Sequence, residues 1–142
     1  MKKLFSAEYT EDNYNKSLLL LRLGMGLTLA WHGYEKIPGF DNEENGSMNF
    51  LGLGTTISQI LIIIVELLGG LLVAMGLCTR LAALAVIGWL GFVLLKSFGF
   101  DIFGKGEKVW LLLIGYGAIL ISGAGKYSID KIINNKNSTS KI

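Results

Sequence analysis

The sequence is poor in the residues on which much protein chemistry is built. Its 142 residues include one cysteine, Cys78, one histidine, His32, and one proline, Pro38. A lone cysteine excludes an intramolecular disulfide, a paired-thiol redox motif and a cysteine-based metal cage. A lone histidine excludes bis-histidine haem ligation within the chain, and no metal site is expected from this residue set. Charge is scarce too. Charged residues make up 17% of the chain, against about 25% in an ordinary soluble domain. The net charge of +2 is too small to mark a nucleic-acid partner.

What is abundant is apolar. Hydrophobic residues make up 51% of the chain, mean hydropathy is +0.51, and there are 19 glycines. The charges gather at the two ends and in short stretches between long apolar runs. That segregation is the pattern of a polytopic membrane protein, in which glycine lets helices approach closely. The first apolar run begins only at about Ser17, after the mixed segment KKLFSAEYTEDNYNK, and the bulky WHGYEK follows it. A cleavable signal peptide ends instead in small residues, so this run is expected to be a retained span.

Four spans are expected, over about 17–34, 56–77, 81–98 and 109–123. They define an all-α fold: an integral membrane antiparallel four-helix bundle occupying 17–125, between a polar segment 1–16 and a polar tail 126–142 that is expected to be disordered. Some spans are short against the ~20 residues that cross a bilayer, a deficit that snorkelling and local thinning cover. Pro38 and Gly39 stop the first helix. Asp41–Gly54 (DNEENGSMNFLGLG) reads as a solvent loop, and Cys78–Arg80 as a tight turn between antiparallel neighbours. Lys2, Lys3, Lys16, Arg22, Arg80, Lys126, Lys131, Lys136 and Lys141 lie on one side of these spans. Lys36, Lys96, Lys105 and Lys108 lie on the other. The excess marks the cytoplasm, so both termini are expected inside. The acidic loop with Asp41, Glu43 and Glu44 then faces out, with Trp31, Tyr34, Phe40, Phe98, Phe100 and Trp110 as an outer aromatic belt.

His32, Glu35 and Lys36 are spaced i, i+3, i+4 and share a helix face. Lys96 ends the third span at the same level, and Glu107 and Lys108 begin the fourth there. For the lysines, snorkelling is a sufficient account. For Glu107, the favourable end of a helix dipole is one too. His32 lies inside its helix and titrates near neutral pH, so it is a stronger candidate. Glu66 stands apart. About ten apolar residues flank it on each side in ILIIIVELLGGLLVAMG, which puts it near the bilayer midplane. A carboxylate there costs at least ~2.5 kcal/mol on insertion scales. It must be protonated, paired or in a wet cavity. Arg22 is the expected partner, and a Glu66–Arg22 bridge fixing helix register is the structural alternative to a proton- or ligand-handling carboxylate. Gly69, Gly70 and Gly76, with Gly24 and Gly26, are read first as packing residues, and second as room for a flat ligand beside Glu66.

Three stretches together resemble the DoxX family. LLRLGMGLTLAWHGYEKIPGF is similar to its first span, IIVELLGGLLVAMGLCTRLAAL to its second span, hairpin and third span, and GEKVWLLLIGYGAILISGAGKYSIDKII to its fourth span and close. The similarity runs from about Leu19 to Lys131. It implies a multi-pass protein of the prokaryotic inner membrane in contact with the lipid bilayer. It also implies a link to sulfur or thiol redox chemistry, through relatives such as the membrane subunit of thiosulfate:quinone oxidoreductase. The family's polar positions map onto Arg22, His32, Lys36, Glu66, Arg80 and Glu107.

On this reading the chain is a subunit of a membrane redox system, with other membrane or redox subunits, or a second copy of itself, as partners. No covalently bound cofactor is expected; quinone enters as substrate. Glu66 and His32 are the expected proton-handling pair, with Arg22, Lys36, Lys96 and Glu107 binding substrate. A non-catalytic scaffold for redox partners is the alternative, and a small oligomeric transporter coupled through Glu66 a third. Glu66→Gln separates them: it abolishes turnover, changes only assembly, or abolishes flux.

Overall fold

In the computed structural model, residues 10–39, 52 and 54–139 are described, with side chains through Lys136. Phe40 and the acidic loop with Asp41, Glu43 and Glu44 lie outside the described residues, as do Lys2, Lys3 and Lys141. Among the described residues there are five helices and no strand: α1 (Glu11–Glu35), α2 (Thr55–Met75), α3 (Thr79–Ser97), α4 (Glu107–Ser122) and α5 (Ile129–Thr139).

The α2, α3 and α4 boundaries fall within two residues of the apolar runs. The two ends of the chain differ from expectation. α1 starts at Glu11, because the Thr10 hydroxyl accepts from the Asn13 amide and Glu11 and Asp12 fill the first turn. That cap and those carboxylates satisfy the helix start well before hydrophobicity begins. The tail, expected to be disordered, carries α5, and its first residues dock against the ends of the other helices.

α1 packs on α2 and α4, and α3 packs on α2 and α4. The α1–α2 contact is made by backbone. A Cβ at Gly26 would lie 2.6 Å from the Gly70 carbonyl oxygen, and one at Gly33 would lie 2.6 Å from the Leu67 amide nitrogen. This is the close approach that small residues allow between helices in a membrane. Gly69 abuts Val86 and Gly70 abuts Gly26 and Ala30. These glycines are therefore filled by helix packing and open no space at the α1–α2 contact.

α2 ends in a Schellman turn: Leu77 N–H bonds Leu72 O at 2.9 Å and Gly76 N–H bonds Val73 O at 3.1 Å, with Gly76 at φ +72°. The left-handed residue favours glycine there. α3 then begins at once, and the tight turn makes α2 and α3 neighbours. Leu29, Val73, Ala83, Val86, Tyr116 and Ile119 form the centre of the core. The outer faces are apolar as well: Leu20, Leu81, Leu84, Leu95 and Ile121 are all more than half exposed. Apolar surface of this extent marks contact with a partner or a lipid phase. α2 and α3 are each long and apolar enough to cross a membrane. α4, at 16 residues, falls short by length, and α1 is diluted by Arg22, His32 and its charged first turns.

Candidate functional site

The α1–α2 register decides which charges meet. Because Gly33 sits on Leu67, the next turn of α1 brings Lys36, its C-terminal cap, to the level of Glu66. The Lys36 ammonium donates to both Glu66 carboxylate oxygens, at 2.6 Å each. Glu66 is 5% exposed, while the Lys36 side chain is 40% exposed. The pair therefore runs from the buried interior to the surface. A third helix completes it: the Trp89 indole N–H donates to Glu66 Oε1 at 3.0 Å. A buried carboxylate is tolerable only with such compensation. Beside it, Leu61, Ile62, Val65, Leu84, Ala85 and Gly88 surround an apolar recess of about 370 Å³ whose remaining wall is Trp89. The indole is thus shared between the recess and the carboxylate.

The bridge expected between Glu66 and Arg22 does not form. Gly26 packs against Gly70 and Ala74, so Arg22, one turn earlier in α1, lies against Gly76. That is ten residues beyond Glu66, about 15 Å along a helix axis. The buried Arg22 guanidinium instead donates to the carbonyls of Ala124 and, at 2.6 Å, Tyr127. Its work is to hold the segment after α4.

His32 lies 3.7 Å from Glu35, an ion pair when the imidazole is protonated, and the Trp31 indole donates to the same carboxylate at 2.8 Å. These three side chains form an exposed cluster on α1. Lys96 and Glu107 are exposed at the ends of α3 and α4. Of the six candidates, Lys36 and Glu66 come into contact with each other. Arg22 belongs to a different end of the molecule.

That other end is organised by a residue that sequence reasoning passed over. The Asp130 carboxylate accepts from the Cys78 amide at 2.7 Å, the Thr79 amide at 3.0 Å and the Thr79 hydroxyl at 2.9 Å, and the Asp130 amide bonds Gly76 O at 2.9 Å. Asp130 thus caps the start of α3 from α5. Burial pushes its carboxyl up, but the hydrogen bonds from Thr79 and Cys78 and the charge of Arg22 outweigh that and hold it below its ordinary value. Asn15 accepts from the Lys126 amide at 2.7 Å and Asp12 from the Tyr127 hydroxyl at 2.9 Å. The GLCTR turn and the GKYSID close, separate in sequence, are two halves of one junction. Trp89 was passed over too, although a signal for it existed. Glu66 stands twelve residues before Cys78 and Trp89 eleven after it, so a tight hairpin must bring them level.

With this geometry in place, similarity to known proteins gives the class of protein. The DoxX family model matches residues 17–96. The chain is a membrane protein of the DoxX family. It is 30% identical over 126 residues to a protein of Escherichia coli (strain K12) named "Inner membrane protein YqjF", covering 84% of this chain and 93% of that one. It is 31% identical over 122 residues to a protein of Bacillus subtilis (strain 168) named "Putative oxidoreductase CatD", covering 81% and 85%. No solved structure matches the chain.

Proposed function

We propose that this DoxX-family protein is a multi-pass protein of the prokaryotic inner membrane, in which α1–α4 form an antiparallel four-helix membrane bundle with both termini cytoplasmic. We further propose that it is the membrane subunit of a redox system joining sulfur or thiol chemistry to quinone. The inner-membrane relative, the oxidoreductase name of the other, the lysine and arginine asymmetry and the exposed leucines support this reading. The observation that carries it is the buried Glu66 carboxylate bonded by Lys36 and Trp89.

In that orientation Lys36 opens toward the outer face. Reducing a quinone to a quinol takes two electrons and two protons. Two thiosulfate anions that couple through a new sulfur–sulfur bond release two electrons. With one cysteine and one histidine in the chain, the electrons pass from donor to quinone directly or through a partner subunit. A quinone ring in the recess packs on the Trp89 indole, and the Lys36–Glu66 pair behind it is the proton store. The half-exposed ammonium refills that store from water, and its charge attracts an anionic donor. Proton delivery by a positioned group is worth about 10²–10⁴ in rate.

Thiosulfate-dependent quinone reduction in vesicles holding the protein tests this. The expected result is activity that falls at least about a hundredfold in Glu66→Gln at equal folded abundance. A second reading, a scaffold for redox partners, draws on one observation: the Glu66 carboxylate already has partners on two other helices, as a pure packing device would. In that case Glu66→Gln alters assembly, and neither protein shows donor-dependent turnover.

A further inference from the structure

α5 has no part in the site around Glu66, yet it is held in a defined place. Its Asp130 carboxylate caps α3, its Asp130 amide bonds Gly76 O, and Arg22 grips the two carbonyls just before it. The helix therefore leaves the molecule at the level where α2 ends and α3 begins. If α2 and α3 cross the membrane, that level is the membrane surface.

The side chains suit that position. Ile129, Ile132, Ile133 and Lys136 are spaced i, i+3, i+4, i+7 and share one face of α5. Ile132 is 58% and Ile133 45% exposed. All three nearby lysines are exposed: Lys136 on that face, Lys126 just before the helix, and Lys131 on the opposite side. Arg80 is exposed at the same end and lies against Gly123. Among the described residues at this end, Asp130 is committed to the α3 cap and Asp12 to Lys16 at 2.5 Å, and with Glu11 these anions are fewer than the cations around them. An apolar face beside an excess of cations matches the boundary of a bilayer with anionic headgroups, into which isoleucines insert while lysines meet phosphates.

We propose that α5 is an interfacial anchor that lies on the anionic cytoplasmic surface of the membrane through Ile132 and Ile133, with Lys126 and Lys136 on the lipid phosphates. This rests on the membrane topology proposed above and is independent of the redox reading. It makes the Asp130–Thr79 junction the link between a surface-bound helix and the hairpin that carries Glu66 and Trp89.

The test uses the full chain with Cys78→Ser and a nitroxide on Ile133→Cys, reconstituted in vesicles of phosphatidylcholine with or without phosphatidylglycerol. Collision with oxygen and with a water-soluble nickel chelate gives the depth of the label. With phosphatidylglycerol, the label is expected to be accessible to oxygen and shielded from nickel. Without it, or with Lys126→Glu and Lys136→Glu, nickel access is expected to rise several-fold. A label in water in both lipids overturns the proposal. So does shielding that ignores both lipid charge and the lysine variants, which points to a second copy or another part of the chain covering α5. Flotation of the protein with the vesicles is scored first. Failure to float condemns the membrane topology, whereas a floated protein with a wet α5 condemns only the anchor.

Discussion

The ammonium of Lys36 lies 2.6 Å from each carboxylate oxygen of Glu66, thirty residues away in sequence, and the Trp89 indole closes on the same carboxylate from a third helix. One charged group therefore ties α1, α2 and α3 together at a single level. It is buried on the Glu66 side and open to the surface on the Lys36 side.

Removing Lys36 should expose the cost of that burial. In Lys36→Met, Glu66 is left with the indole alone, and stability should fall by about 2 kcal/mol, below the usual figure for a fully buried pair because Lys36 is part-exposed. Lys36→Met combined with Glu66→Leu should recover most of the loss, since neither charge then remains unpaired. Reversible unfolding in detergent, analysed as a double-mutant cycle, measures both effects.

Trp89→Phe keeps a ring against the recess but deletes the donor to Glu66 Oε1. The expected loss is about 1 kcal/mol, the ordinary size of one hydrogen bond. Trp89→Leu should cost more, because it also opens the wall of the recess. The two variants, compared by thermal unfolding, separate the hydrogen bond from the packing.

The α1–α2 contact should be intolerant of one added methyl group. Gly70→Ala sets a Cβ 2.6 Å from Gly26 O, so the helices must separate, at about 1–3 kcal/mol. Gly24→Ala meets nothing within 4 Å and should be neutral or stabilising by a few tenths, since alanine is the better helix former. Because the Gly26–Gly33 register also sets the Lys36–Glu66 pairing, Gly70→Ala should lower activity along with stability.

The Asp130 cap predicts a pH dependence with a definite sign. Its carboxyl titrates below its unfolded value near 3.8, so the folded state favours the ionised form. That contribution is complete above the unfolded value and disappears as pH falls through the lower folded value. Stability should hold from neutral pH down to about pH 5 and decline below pH 4, and Asp130→Asn should flatten the decline. Melting temperature against pH for both proteins gives the answer.

Much of this architecture was legible in the sequence because the apolar runs over α2, α3 and α4 are long and sharply bounded. Glu66 was legible as a burial problem for the same reason. Its partner was not. Hydropathy gives the length of a helix, whereas partner choice depends on the axial register of α1 against α2. That register is set by backbone contact at Gly26, Gly33 and Gly70, and an offset of about ten residues gave Arg22 to the wrong cluster. Hairpin symmetry about Cys78 could have supplied Trp89. The docking of Asp130 on Thr79 had no such signal, because it joins segments 51 residues apart, and the polar composition of the tail concealed a helix held by capping rather than by an apolar face.

The most direct test of the central claim uses the variant that keeps the fold and removes the chemistry. Thiosulfate-dependent quinone reduction should be compared in vesicles holding the native chain and the Lys36→Met, Glu66→Leu double variant, at matched folded abundance. Turnover by the native chain is expected, with a loss of at least about a hundredfold in the double variant. Equal turnover by the two proteins, or none by either, would contradict that claim.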